Sequence, residues 1–152
     1  MASISDLIEN FLKQMIHETN GVIEIQRNEL ANYFKCVPSQ INYVIDTRFT
    51  AERGYIVESR RGGGGYIRII RLKIERVEDL QELIQRQIGD AITQDEALDI
   101  VARLFEQGII NEREAAIMQA ALRREALRLD LPARDMVRAD LLRAMLMAIL
   151  RF

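Results

Sequence analysis

The chain has 152 residues, 49% of them hydrophobic and 29% charged, with a formal net charge of -2, enough to bury one ordinary core or two small ones. A single cysteine, Cys36, excludes an internal disulfide, and with the single histidine, His17, it supplies no clustered zinc ligands. The chain opens without a charged leader, apolar stretch and cleavage site, and it contains no run of about 18 apolar residues, so a cytoplasmic protein outside the membrane is expected.

The first periodic segment runs from Ser5 to Thr19, where Leu7, Ile8, Phe11, Leu12, Met15 and Ile16 recur at helical spacing. Gly21 stops it, and "VIEIQ" then alternates as a short strand. "RNELANYFKC" predicts a short helix burying Leu30, Ala31 and Phe34. Pro38 disfavours a helical Val37 but suits the first turn of a new helix, which is expected to reach Arg48. "GYIVES" and "GYIRIIR" follow as strands, with Ile56, Ile67 and Ile69 expected on the core side.

That order of elements predicts a winged helix-turn-helix. On its second helix Ile41, Val44, Ile45 and then Phe49 fall inward, while Ser39, Gln40, Asn42, Tyr43 and Thr47 share the outer side. Gln and Asn can each make two hydrogen bonds to adenine, and the Thr methyl and Tyr ring suit thymine and sugars. A merely solvated polar face is the alternative, and Asp46 on the same side opposes phosphate contact.

Between the two strands lies "SRRGGGGYIRI". Residues 59–74 carry Arg60, Arg61, Arg68, Arg71 and Lys73 with no acid, although 1–72 as a whole holds nine Lys and Arg against eight Asp and Glu. The loop lacks the Gly-Lys-Ser/Thr ending of a P-loop and leads into a strand instead of a helix, so a phosphate-cradling nucleotide loop is excluded. A narrow A·T-rich minor groove concentrates negative potential, and side-chain-free glycines allow close backbone approach. Arg60, Arg61, Gly62, Gly63, Gly64, Gly65, Tyr66 and Arg68 therefore join the candidate DNA contacts.

"DTRFTAERGYIVESRRGGGGYIRI", together with "ISDLIENFLKQMI" and "ELANYFKCVPSQINYVI", resembles the CtsR family, the class three stress gene repressors of bacteria, over nearly the whole chain. The resemblance implies a dimeric repressor of heat-shock and Clp protease genes on a double-stranded operator of direct repeats. It also implies release from DNA by heat through the glycine-rich loop, phosphorylation by an arginine kinase of the McsB type, and Clp-dependent degradation. Either wing arginine can be the phosphoryl acceptor, and Arg61, directly before the glycines, is favoured.

Beyond Leu72 the spacing turns helical. Val77, Leu80, Leu83, Ile84 and Ile88 mark one helix ending at Gly89; Thr93 with Glu96 opens a second that stops at Gly108; Asn111 with Glu114 opens a third expected to reach Leu129; and a fourth follows Pro132. The last helix is apolar nearly all round after Asp140, which predicts burial by more than one neighbour and a subunit interface through Leu142, Met145, Leu146 and Ile149. The expectation is a mainly α, α+β chain: a DNA-binding domain over 1–72 with a small β-wing, and a helical dimerisation domain over 73–152. No catalytic constellation, metal site or cofactor motif stands out, so the chain is read as a non-enzyme. A ligand-sensing winged-helix regulator and a Clp adaptor or interaction module remain the alternatives.

Overall fold

Ser3 accepts a hydrogen bond from the Asp6 amide while the Asp6 carboxylate accepts one from the Ser3 amide, each at 3.1 Å, and this reciprocal cap starts α1, Ile4–Glu18. The computed structural model describes residues 2–59 and 65–152, which divide into two units, Met1–Leu72 and Lys73–Phe152. Arg60, Arg61, Gly62, Gly63 and Gly64 lie outside the described residues.

In the first unit α1 buries Ile8, Leu12 and Ile16 completely, whereas Leu7 is half exposed. One residue back along a helix turns a side chain about 100° away, and Leu7 falls off the stripe. β1, Val22–Gln26, leads directly into α2, Arg27–Phe34. Lys35 then takes a left-handed conformation with φ of 54°, and the Cys36 amide donates to the Ala31 carbonyl at 2.9 Å. Val37 is extended, and Pro38 opens α3, Pro38–Arg48, as its spacing predicted.

β2, Tyr55–Ser59, and β3, Tyr66–Arg71, complete an antiparallel sheet of order β1-β3-β2. Ile23, Ile69 and Val57 lie in register across it, as do Ile25 and Ile67, and this face closes over Ile8, Leu12, Ile41 and Val44. Ile56 was expected on that face and is instead 42% exposed. Tyr55 takes the inner position, its ring edge-on to Phe49 at 4.8 Å, and with Val57 opposite Ile69 the phase of β2 turns Ile56 outward.

The second unit contains α4, Val77–Gln87; α5, Gln94–Glu106; α6, Glu112–Leu122; and α7, Ala133–Ile149. The expected boxes at Thr93/Glu96 and Asn111/Glu114 cap α5 and α6. α6 was expected to continue to Leu129 but ends at Leu122. There the carbonyl of Leu122 accepts from Arg138 Nε at 2.7 Å, Arg123 is extended, and the Arg124 amide turns to Gln94 Oε1. Arg138, only 1% exposed, also donates to the Ile92 carbonyl and Asp135, joining three segments of this core. Among the described residues no helix is long and apolar enough to cross a membrane.

Candidate nucleic-acid interface

The inner side of α3 is fixed by Ile41, Val44 and Ile45, all buried, with Phe49 buried just beyond its end. The opposite side presents Ser39, Asn42, Tyr43, Asp46 and Thr47 to solvent, so the predicted outer face is assembled as expected. Gln40 differs from the others. It is half-buried and its amide donates to Ser5 Oγ at 2.7 Å, which ties the start of α3 to the start of α1. The Thr47 hydroxyl donates to the Tyr43 carbonyl at 2.6 Å, so its oxygen can still accept a further hydrogen bond.

At the other end of α3, Arg48 donates to Asp6 at 3.0 Å and to Glu9, and Glu9 also meets Lys13 at 2.7 Å and Arg53 at 3.5 Å. Sequence reasoning missed this cluster, although an acid pair one turn apart on the first helix was a signal that it needs basic partners. The Ser3 amide and Arg48 hold the Asp6 carboxyl below the usual carboxylate range. Burial pushes Glu9 upward, but Lys13 and Arg48 outweigh it and leave Glu9 lowered too. Glu9 and Asp6 in turn raise Arg48. Helix α3 is therefore clamped to α1 at both ends and packed along its length between them, a rigid platform for its exposed amide and phenol groups.

The sheet places the wing residues less uniformly. Tyr66 is 47% exposed on the outer face opposite Gln26. Arg68 lies in register between Glu24 and Glu58, with Nη1 3.9 Å from Glu58 Oε2, a long and solvent-exposed pairing that contributes little. Gly65 has a φ of 74° and marks the return of the loop into β3. The remaining loop candidates, Arg60 to Gly64, lie outside the described residues.

Of the four side chains expected at a subunit interface, Leu142 and Leu146 are fully enclosed by the core of their own unit, while Met145 and Ile149 are half-buried. Their neighbours Ala144, Met147 and Ala148 are exposed. The expected burial of α7 by more than one neighbour is met by α4, α5 and α6, which cover one side and leave the other to the expected subunit interface. The same unit holds a cleft of about 400 Å³ lined mainly by Ile74, Val77, Leu80, Ile109, Ile149 and Leu150.

Helix, strand, helix, tight turn, outward polar helix and two-stranded wing define a winged helix-turn-helix protein. Within that class, the family description "CtsR N-terminal HTH domain" matches residues 3–73 and "CtsR C-terminal dimerization domain" matches residues 76–147. The chain belongs to the CtsR family. It is 53% identical over 119 residues to the transcriptional regulator CtsR of Geobacillus stearothermophilus, covering 78% of each chain, and 54% identical over 118 residues to that of Bacillus subtilis strain 168, covering 76% of each. A crystal structure of CtsR in complex with a 26 bp DNA duplex matches with a TM-score of 0.86 at 50% identity, over 97% of this chain and 98% of that one. These relatives are named as regulators of transcription, not as enzymes.

Proposed function

We propose that this chain is a homodimeric, cytoplasmic repressor that binds a double-stranded operator of direct repeats in front of heat-shock and Clp protease genes. The observation that carries this reading is α3: a helix clamped to α1 at Gln40 and Arg48 that turns Ser39, Asn42, Tyr43 and Thr47 outward. A rigid helix with outward amide and hydroxyl groups fits the major groove, where Asn can bond two atoms of one adenine. The basic loop from Arg60 to Gly65 is assigned to an adjacent A·T-rich minor groove. Tyr66 and Arg68 join this assignment, since the 3.9 Å approach of Arg68 to Glu58 is between exposed side chains and leaves the guanidinium able to turn to a phosphate.

Release follows from the same loop. Phosphorylating Arg61 by an arginine kinase of the McsB type replaces a cation with a group of net negative charge, turning attraction to the groove into repulsion. Heat release and degradation by the Clp system rest on the sequence resemblance. Assembly is assigned to the second unit, with Met145 and Ile149 at the contact and Leu142 and Leu146 supporting it from the core.

The test is an anisotropy titration of the full chain with an A·T-rich direct-repeat duplex and with one half-site alone. Tight binding to the repeat, weaker binding to the half-site, and affinity that falls steeply with added salt are expected. Equal affinity for repeat and half-site sinks the dimer, and salt-independent binding sinks the phosphate-facing surface.

A further inference from the structure

Arg27 and Gly65 stand just past the last rung of the β1–β3 ladder. Gln26 pairs with Tyr66, and one step further out the Arg27 amide donates to the Gly65 carbonyl at 3.2 Å. Gly65 has a positive φ, which favours glycine by itself. It is also packed: a Cβ at this position would lie 3.0 Å from Arg27 Nη1 and 3.8 Å from Arg27 Cβ, so the guanidinium fills the space that glycine leaves open. Three other arginines of the unit, Arg48, Arg53 and Arg68, meet carboxylates. Arg27 is half-buried against the loop end, and its Nε, like those of Arg68 and Arg71, has no hydrogen-bond partner among the described residues.

Arg27 is also the first residue of α2, which packs against α3. One residue therefore touches the end of β1, the start of the helix-turn-helix and the return of the wing. We propose that Arg27 is a positioning residue of the wing: laid against Gly65, it fixes where the loop rejoins β3 relative to α2 and α3. A side chain at position 65 would press the Arg27 guanidinium out of this contact and strain the dihedral as well. The consequence for operator binding rests on the proposed DNA reading. A wing set at one place relative to α3 meets its groove in register, and a wing loose at its base must be ordered at the moment of binding.

The experiment compares wild type, Arg27→Ala, Arg27→Lys, Gly65→Ala and the Arg27→Ala/Gly65→Ala double variant. Two quantities are read: hydrogen exchange of the residue 27 amide in the free protein, and operator affinity over a salt series. Arg27→Ala should speed that exchange and weaken operator binding roughly five- to tenfold with an unchanged salt slope. Lysine, which keeps the charge but not the planar group, should not restore either. Gly65→Ala should reproduce both effects, and adding Arg27→Ala to it should do no further harm, because the same contact is already broken. Unchanged exchange in Arg27→Ala overturns the proposal. Rescue by lysine, with a salt slope reduced by about one charge in the alanine variant, overturns it in favour of a plain phosphate contact. Faster exchange with full affinity leaves the anchor standing and instead removes the wing from the proposed DNA interface.

Discussion

Gln40 and Arg48 hold the two ends of α3 on α1, and between them Asn42 and Tyr43 face solvent with groups suited to a base edge or sugar. Asn42→Ala should therefore relax discrimination against wrong bases by about 1 to 3 kcal/mol. Gln40→Ala should in addition lower the melting temperature, because it removes the bond to Ser5. The outer face of α3 was legible from spacing. The double use of Gln40 was not, because its partner lies 35 residues earlier. The ion cluster sets a pH dependence as well. Asp6 and Glu9 have lower pKa values in the folded chain than their ordinary ones, so their contribution is present above the usual carboxylate range and fades as the pH falls through and below about 4. Melting followed from pH 7 to pH 3 should show a fall that is shallower in Arg48→Met, which loses the common partner of both acids. Identical slopes would mean that Arg48 does not set these pKa values.

At the scale of elements, α1, β1, α2 and α3 follow from local signals: helical spacing, a stop at Gly21, and Pro38 opening a helix. The two departures have long-range causes. Alternation shows that β2 is a strand but not which of its faces is inward, and Phe49 and Ile69 decide that by taking Tyr55 and Val57. No glycine or proline marks the end of α6, because Arg138, sixteen residues later, captures its last carbonyl. Arg138→Met should thus destabilise the second unit by about 1 to 3 kcal/mol, leaving the carbonyls of Leu122 and Ile92 and the Asp135 carboxylate without their donor; denaturant unfolding measures it. The glycine run poses a different question. Ordering four glycines costs about 2 to 4 kcal/mol more than ordering four alanines, but as a pure entropy it changes by only about 0.1 kcal/mol over ten degrees. Loop entropy alone cannot make a heat switch; it can hold the bound wing near its threshold so that a cooperative opening completes release. Gly64→Pro should accordingly shift the release temperature, and Arg61→Ala should weaken binding even without phosphorylation. DNA affinity measured across temperature for both variants checks the pair, and unchanged values in both would make the loop a bystander.

For the whole molecule, a reading unit and an assembling unit predict that affinity for the proposed direct repeat should depend on two copies bound together. Charge at α7 separates the two roles. Met145→Glu lies at the half-buried edge and should yield a folded chain that sediments as a monomer and binds the repeat only as weakly as a half-site. Leu146→Glu places a carboxylate at a fully enclosed position and should unfold the second unit instead. This distinction was hidden from spacing, which showed an apolar helix but not which side its own neighbours cover. The central claim is that a clamped α3 reads the operator. Its most direct test is the ratio of affinities for the operator and for a scrambled duplex of the same length and composition, measured for wild type and Asn42→Ala at one fixed salt concentration. Wild type should prefer the operator strongly, and Asn42→Ala should lose roughly five- to a hundredfold of that preference while its affinity for the scrambled duplex stays the same. A wild type without preference, or an Asn42→Ala variant that keeps all of it, would contradict the account.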